Sequence, residues 1–289
     1  MGYSEREVIS TSSPCASWSN MPQLFIGFFL ALIIALLAYY AHHLSRSGAI
    51  AAAFVGTIIF GSGGLPWAIL LLTFFITSSA LTRTFRTRKT RLSEKFAKGG
   101  KRDAGQVLGN GGVAVFFAAM HAAFPEAAWP WLAFAASLAA VNADTWATEL
   151  GVLSPVAPRL ITNPRKIVEK GTSGGISTVG TLAALAGAAL IGLLAGLPAL
   201  SPVRMKAGYV QTSLMITLSG LLGSLFDSLL GAAIQGIYYC PACKKETERH
   251  PVHICGTQTV QVRGWRWLNN DMVNFACAVM GALAVLVFS

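Results

Sequence analysis

The chain has 289 residues, of which 54% are apolar and only 12% are Asp, Glu, Lys or Arg. Ordinary globular proteins are about one quarter charged, so this chain has too few charges to cover a soluble surface. The composition excludes a soluble globular enzyme, a disordered protein and a disulfide-rich secreted scaffold, and it predicts a polytopic membrane protein. The formal net charge of +10 needs a separate explanation, because a strong positive charge can also indicate nucleic-acid binding.

The chain is predicted to be an all-α membrane helix bundle. Residues 1–20 have no basic region followed directly by an apolar run, so we interpret them as a polar tail and residues 21–289 as a single integral membrane catalytic domain. A helix needs about 20 mostly apolar residues to cross a bilayer. Eight segments are candidates: 22–44, 48–60, 65–81, 109–124, 129–150, 172–197, 209–236 and 270–288. The second is short enough to be re-entrant, so seven spans are the alternative.

The basic residues are concentrated in alternate loops. Nineteen of the 22 Lys and Arg residues lie at position 46 and in segments 83–102, 159–170 and 244–266, whereas the opposite loops hold three. Cytoplasmic loops of membrane proteins are enriched in Lys and Arg. We therefore expect a protein of the cell (inner) membrane whose basic loops and active site face the cytoplasm. The positive charge then requires no nucleic-acid partner.

Acidic residues near the cytoplasmic ends of the predicted spans are candidate metal ligands and catalytic groups. An acid in or near the bilayer is costly and indicates function. Five carboxylates meet this description: Asp103, Asp144, Glu149, Asp227 and Asp271. Asp227 lies in an otherwise uncharged span and shares a helical face with Gly220, Gly223 and Gly231. Helix capping and structural hydrogen bonding are the alternative roles for such acids.

Two glycine-rich segments carry candidate phosphate ligands. Segment 98–112 contains Lys98, Lys101, Arg102 and Asn110, and segment 170–178 contains Lys170, Thr172 and Ser173. Glycines let backbone N–H groups approach a phosphate, and a helix N-terminus attracts anions. The P-loop pattern G-x-x-x-x-G-K-[ST] is absent from the sequence, so an ordinary P-loop site is not expected. Flexible basic loops and close helix packing are the competing interpretations.

The entrance to the last span is rich in oxygen-bearing side chains, namely those of Asn269, Asn270, Asp271 and Asn274. Helix capping explains one of the four. Oxygen ligands of this kind suit Mg²⁺ and the phosphates bound to it. His42, His43 and His121 are interpreted as interfacial or packing residues.

A C-x-x-C pair and a nearby H-x-C pattern occur in the predicted cytoplasmic loop 237–268. Cys240, Cys243, His253 and Cys255 could supply four ligands to a structural zinc ion. A redox pair or free thiols are the alternatives. Cys15 and Cys277 have no matching partners and are interpreted as structural.

Five motifs in order, KGGKRDAGQVLGNGG, NADTWATELG, KGTSGGIS, GSLFDSLLGAAIQ and WLNNDMVN, resemble the family that contains phytyl-phosphate kinase of the vitamin E pathway and transmembrane protein 19. The resemblance covers nearly all of residues 21–289, and the Cys/His loop is also similar. The family is more distantly similar to phytol and dolichol kinases and to CDP-diacylglycerol synthase. The resemblance implies transfer of a phosphoryl group from a nucleoside triphosphate, with CTP the expected donor, to an isoprenyl monophosphate such as phytyl phosphate. The product would feed vitamin E or quinone biosynthesis.

The residues are assigned to roles on this basis. Asp103, Asp144 and Asp227 are the expected catalytic residues. Mg²⁺ is the expected cofactor, with the ligands Asp144, Glu149, Asp227 and Asp271. The expected contacts to substrate and nucleotide are made by Lys98, Lys101, Arg102, Asn110, Lys170, Thr172, Ser173 and Asn270. The alternatives are a prenol kinase, a CTP-dependent cytidylyltransferase and a transporter or flippase for lipid phosphates.

The charge distribution generates a topology prediction. Cysteines introduced by Lys98→Cys and Arg165→Cys should be shielded from a membrane-impermeant thiol reagent in intact cells, because they lie in basic loops. A cysteine introduced by Arg204→Cys, in an opposite loop, should be labelled. Labelling is measured relative to the parent protein, and the reverse pattern would contradict the orientation.

Overall fold

The computed structural model describes residues 21–85, 100–202 and 207–288, and it contains eight helices in this part of the chain. They are α1 (Met21–Tyr40), α2 (Arg46–Gly63), α3 (Leu65–Thr84), α4 (Ala104–Ala123), α5 (Trp129–Gly151), α6 (Thr178–Gly196), α7 (Tyr209–Ala233) and α8 (Asn270–Phe288). The predicted all-α membrane bundle is confirmed. Helix α2 has 18 residues, so the second predicted segment is a full helix, and each of the eight predicted segments corresponds to one helix in the described part of the chain.

Six of these helices are long and apolar enough to cross a membrane, namely α1, α2, α3, α6, α7 and α8. The other two, α4 and α5, have 20 and 23 residues but contain many alanine, glycine and polar residues. Helix α5 is surrounded by protein, since it packs against α3, α4, α6, α7 and α8. A helix in this position contacts other helices instead of lipid, so its side chains need not be strongly apolar.

Helix α5 is the centre of the bundle. Every residue from Pro130 to Ala143 is buried. Its small side chains allow neighbouring backbones to come close: Gly220 and Gly223 of α7 lie against Ala139 and Ala140, and Gly281 of α8 lies against the carbonyl of Ala136. Small residues at helix interfaces are how membrane helices gain packing contacts.

Four interhelical connections lie together at one end of the bundle. They are segments 41–45, 100–103, 152–177 and 234–269, and we name this region the basic end because its described residues include Lys101, Arg102 and the basic segments 159–170 and 244–266. The backbone N–H of Ser45 donates to the carbonyl of Arg102 at 2.9 Å, and the N–H of Arg102 donates to the carbonyl of His43, also at 2.9 Å. The first two connections are thereby fixed to one another.

The basic end also contains two small antiparallel sheets that the sequence analysis did not predict. The first has the order β2-β1-β3, with β1 (Arg159–Leu160), β2 (Asn163–Ile167) and β3 (Gly175–Ile176). The second has the order β5-β4-β6, with β4 (Ile237–Cys240), β5 (Lys245–Thr247) and β6 (Val260–Arg263).

Two predicted helix starts were wrong. Helix α6 begins at Thr178 and not at Thr172, because Ser177 caps it: its Oγ accepts a hydrogen bond from the N–H of Gly180 at 3.1 Å. Residues 172–177 are therefore free to form β3 and a loop. Helix α4 begins five residues earlier than predicted, directly after Asp103.

The opposite end of the bundle contains an aromatic cluster. The indole of Trp67 stacks on the imidazole of His121 with ring centroids 4.9 Å apart, and it contacts the rings of Trp131 and Phe134. The packing role predicted for His121 agrees with this arrangement.

The close approach of α7 to α5 generates a stability prediction. A Cβ added at Gly223 would lie 2.5 Å from the Cβ of Ala140 and 2.8 Å from the carbonyl oxygen of Cys277. Overpacking of this kind costs about 1–3 kcal/mol, so Gly223→Ala should lower the Tm in detergent. Gly208→Ala is the matched control, since a Cβ there meets no atom within 4 Å. Equal melting temperatures for the two variants would contradict the predicted packing.

Candidate functional site

A polar cavity of about 150 Å³ lies at the basic end, between α5, α6, α7 and the segment 170–177. Six residues that the sequence analysis proposed for the site line this cavity: Asp144, Lys170, Thr172, Ser173, Asp227 and Asn270. They come from four separate parts of the chain, and the fold brings these parts together around one cavity.

Two carboxylates face this cavity from neighbouring helices. Asp144 directly follows the fully buried part of α5, and Asp227 lies six residues before the end of α7. Their charges are close enough to interact. The Oδ2 atom of Asp227 is buried and has no hydrogen-bond partner among the described residues. A pair of converging carboxylates with one unsatisfied oxygen has the chemistry of a site for a hard divalent cation.

The segment 170–177 forms a second side of the cavity. The Nζ of Lys170 donates to the carbonyls of Val152 and Ser154 at 3.1 and 2.6 Å, so the ammonium holds this segment to the end of α5. Gly174 has a φ of +80°, and a Cβ there would lie 2.4 Å from the Cβ of Ala232. The segment is therefore in backbone contact with α7, and this contact holds its hydroxyl groups at the cavity.

Glu248 is a cavity residue that the sequence analysis missed. Its Oε1 accepts hydrogen bonds from the Oγ of Ser173 and the Nε2 of Gln235, both at 3.0 Å. Glu248 follows β5 in the polar loop 237–268, where an acidic residue is unremarkable in sequence. Gln235 lies eight residues after Asp227, and the sequence alone places it within about 80° of Asp227 on the helical wheel.

Three of the proposed carboxylates do not line the polar cavity. Asp103 caps α4: its Oδ1 accepts from the N–H of Gln106 at 3.0 Å, and the Gln106 side chain accepts from the N–H of Asp103 at 3.2 Å. Asp271 lies in the first turn of α8, whose backbone packs against Gly109 of α4.

Glu149 is directed away from the polar cavity. Its Oε1 accepts a hydrogen bond from the Oγ1 of Thr82 on α3 at 2.8 Å. Five residues along an α-helix rotate the side-chain direction by about 140°, which separates Glu149 from Asp144. Of the remaining predicted cations at this end, Lys101 is exposed and Lys98 lies outside the described residues.

A second cavity, of about 300 Å³, lies between α1, α2, α3 and α4. It extends from Arg102 and Leu44 at the basic end to Phe60 and Leu65 near the opposite end, and its lining is almost entirely apolar. The exceptions are three residues on one side, Arg102, Gln106 and Asn110. Arg102 and Asn110, which the sequence analysis grouped with the phosphate ligands, therefore belong to this apolar cavity.

Arg102 is the charged group of the apolar cavity. Its guanidinium lies 5.4 Å from the ring centroid of Phe74 and 5.8 Å from that of Phe75. Burial lowers the pKa of Arg102 to about 10, and the opposing effect of the Glu149 charge is smaller. At neutral pH the side chain is therefore still positively charged and can bind an anion.

The four predicted zinc ligands lie together within the loop 237–268, which also carries Glu248. The ligand atoms of Cys240, Cys243, His253 and Cys255 are all within 4.8 Å of one another. Cys277 lies apart from them, buried in α8, as expected for a structural residue, and Cys15 lies outside the described residues.

Comparison with known proteins places the chain among integral membrane proteins. The sequence profile of the integral membrane protein family DUF92 matches residues 29–282. The chain belongs to this family. Protein PGR of Arabidopsis thaliana is 33% identical over 284 residues, which covers 92% of this chain and 96% of that protein.

Two further relatives are similar over shorter regions. A membrane protein of Methanocaldococcus jannaschii is 34% identical over 214 residues, covering 74% of this chain and 84% of the relative. Protein VTE6, a chloroplastic protein of Arabidopsis thaliana, is 27% identical over 252 residues, covering 84% of this chain and 65% of the relative. No solved structure matches the chain.

Proposed function

We propose that this chain is a membrane phosphotransferase that moves a phosphoryl group from a nucleoside triphosphate, with CTP the expected donor, to an isoprenyl monophosphate such as phytyl phosphate. The motif resemblance, membership of the DUF92 family and the similarity to VTE6 support this proposal. The observation that carries it is the polar cavity, in which Asp144 and Asp227 meet the glycine-rich segment 170–177 at the basic end.

Asp144 and Asp227 are the residues that would hold Mg²⁺. The buried Oδ2 of Asp227 and the mutual repulsion of the two carboxylates make a divalent cation favourable in this cavity. When bound, Mg²⁺ supplies charge neutralisation for the transferred phosphoryl group. Glu149 and Asp271, which the sequence predicts as further Mg²⁺ ligands, do not line the cavity, so only Asp144 and Asp227 are proposed to hold the metal.

The donor phosphates would contact the segment that Lys170 holds in place. Thr172 and Ser173 offer hydroxyl groups, and Asn270 offers an amide from the start of α8. Because the Lys170 ammonium already donates to two carbonyls, its part in the proposal is to position this segment.

The prenyl chain of the acceptor would lie in the apolar cavity. That cavity is open to long apolar groups and has a cation at its basic end, which suits a lipid that carries a phosphate. Arg102, placed there with Gln106 and Asn110, would attract the acceptor phosphate to the basic end, where that phosphate must come within about 3–3.5 Å of the donor's terminal phosphate for transfer. A phosphomonoester has a second pKa of about 6 and is largely ionised at neutral pH, so it needs no dedicated general base.

Product analysis with purified protein tests the proposal. Phytyl phosphate, farnesyl phosphate and phytol are each incubated with CTP or ATP and Mg²⁺, and products are identified by mass spectrometry. Formation of a prenyl diphosphate with CDP is the expected result. Phosphorylation of phytol alone would indicate a prenol kinase, and release of pyrophosphate would indicate a cytidylyltransferase. Absence of nucleotide turnover together with lipid translocation would indicate a transporter.

Asp227→Asn tests the assignment of the carboxylates. The substitution keeps the volume and removes the charge, and a neutral amide is easier to accommodate in a membrane, so the protein should fold. Activity should fall by about 100-fold or more, the usual loss when one electrostatic contact to the transition state is removed. Asp144→Asn should behave alike.

Glu126→Gln is the control for both variants. Glu126 is exposed in the connection between α4 and α5, at the end opposite the cavity, and its substitution should leave turnover unchanged. Near-normal turnover by folded Asp227→Asn protein would rule out the proposed site.

The apolar cavity generates a prediction about acceptor length. Ala52 of α2 lines the cavity, and Ala52→Phe should fill part of it. The KM for phytyl phosphate should rise about tenfold, which corresponds to about 1.4 kcal/mol, and the KM for the short acceptor dimethylallyl phosphate should not change. Ala53→Phe is the matched control, because Ala53 is on the same helix and does not line the cavity. An equal change in KM for both acceptors would contradict the placement of the prenyl tail in the apolar cavity.

A further inference from the structure

The Cys/His cluster has the dimensions of a tetrahedral metal site. The Sγ atoms of Cys240 and Cys255 are 3.5 Å apart, and the Nδ1 of His253 lies 3.6 Å from the Sγ of Cys243 and 3.2 Å from that of Cys255. Tetrahedral zinc with ordinary Zn–S and Zn–N bond lengths separates two sulfur ligands by about 3.8 Å and a sulfur from a nitrogen by about 3.6 Å. These three distances are within about 0.4 Å of the tetrahedral values, and none of the six ligand–ligand distances exceeds 4.8 Å.

We propose that Cys240, Cys243, His253 and Cys255 bind one structural Zn²⁺ ion, and that this ion holds Glu248 against the segment 170–177. Three thiolates and one imidazole form a complete set of four protein ligands, which is typical of structural zinc sites. Such a set leaves no coordination position for a substrate.

The metal would close the loop that carries Glu248. Glu248 lies midway between the ligands Cys243 and His253, five residues from each. On one side, β5 pairs with β4 and directly precedes Glu248. On the other side, the carbonyls of Arg249 and Pro251 accept hydrogen bonds from the Oγ1 of Thr259, at 3.1 and 3.2 Å. A metal ion bound by Cys243 and His253 would join the two ends of this short loop and so restrict the position of Glu248 at its centre.

Glu248 is therefore a positioning residue. Its carboxylate accepts the hydrogen bond from Ser173 and so connects the metal-bound loop to the segment whose hydroxyl groups line the polar cavity. The same carboxylate accepts from Gln235 at the end of α7. Loss of the metal should loosen segment 170–177 at Ser173 without a direct change to any residue of that segment, although Lys170 and Gly174 still contact the ends of α5 and α7.

A redox pair is the competing role for these thiols. A disulfide requires the two sulfur atoms to be about 2.05 Å apart, and the four cysteines among the described residues are all free. A disulfide would also leave one of the three clustered thiols and His253 without a function, whereas a metal ion uses all four groups.

Metal content tests whether the four residues bind one zinc ion. Purified parent protein should contain about one equivalent of zinc by elemental analysis, as expected for one four-ligand site. Cys243→Ser should lose the metal, whereas Cys277→Ser, which changes a cysteine outside the cluster, should retain it. A metal-free parent with a disulfide among these cysteines, or full zinc content in Cys243→Ser, would overturn the zinc assignment.

Limited trypsin digestion tests whether the zinc ion holds segment 170–177 in place through Glu248. The assay requires no nucleotide, so its outcome is independent of the proposed phosphotransfer. Cleavage after Lys170, quantified by mass spectrometry, reports how often segment 170–177 opens. Cys243→Ser and Glu248→Ala should both be cleaved about tenfold faster than the parent, although only Cys243→Ser lacks zinc. Glu248→Gln keeps an oxygen that can accept from Ser173, and it should be cleaved at close to the parental rate.

Parental cleavage rates in Glu248→Ala or in metal-free protein would show that the metal does not position this segment. If Cys243→Ser does not accumulate, parent protein stripped with a chelator and dialysed gives the same comparison. Reloading with zinc should then restore the slow cleavage.

Discussion

The burial of α5 is the constraint on which the rest of the structure depends. Five helices pack around a run of small side chains, and the close approach of α7 and α8 is possible only because alanines and glycines meet there. The fully buried run ends at Ala143, and Asp144 is the next residue. The polar cavity therefore begins at the point where the packing around α5 opens, and the position of its first carboxylate follows from the position of the bundle's core.

The end of α5 also separates two chemically different environments. Asp144 faces the polar cavity, whereas Glu149 is hydrogen bonded to α3 and interacts with the charge of Arg102, which lies in the apolar cavity. A water-soluble anion and a lipid would thus approach different faces of one helix. The donor and the acceptor of the proposed reaction come from different phases, and their phosphates must then meet at the basic end, because in-line transfer requires the reacting atoms to be about 3–3.5 Å apart.

The sequence predicted the parts of this protein that depend on local patterns. The helices followed from apolar runs of sufficient length, and the Cys/His cluster followed from short spacings. Asp144 and Asp227 were singled out because an acid in an apolar span is costly, and the fold brings both of them to the polar cavity. The sequence could not show which carboxylates line the polar cavity, because this depends on the direction in which each helix presents its side chains. Glu149 is in the same motif as Asp144 but faces a different helix. Glu248 could not be found at all, because only the tertiary fold brings it to Ser173. The strands have only two to five residues each, which is too short to show a pattern.

The hydrogen bond between Ser173 and Glu248 joins residues that are 75 positions apart, with α6 and α7 between them in the chain. During synthesis, both of those helices must therefore be inserted in the membrane before this side of the cavity can close. A nascent chain that ends before β4 can already contain Asp144, Asp227 and the glycine-rich segment, but it cannot hold the segment with Glu248. Completion of the cavity is consequently a late event in biogenesis, and it occurs on the side of the membrane where the loop 237–268 emerges.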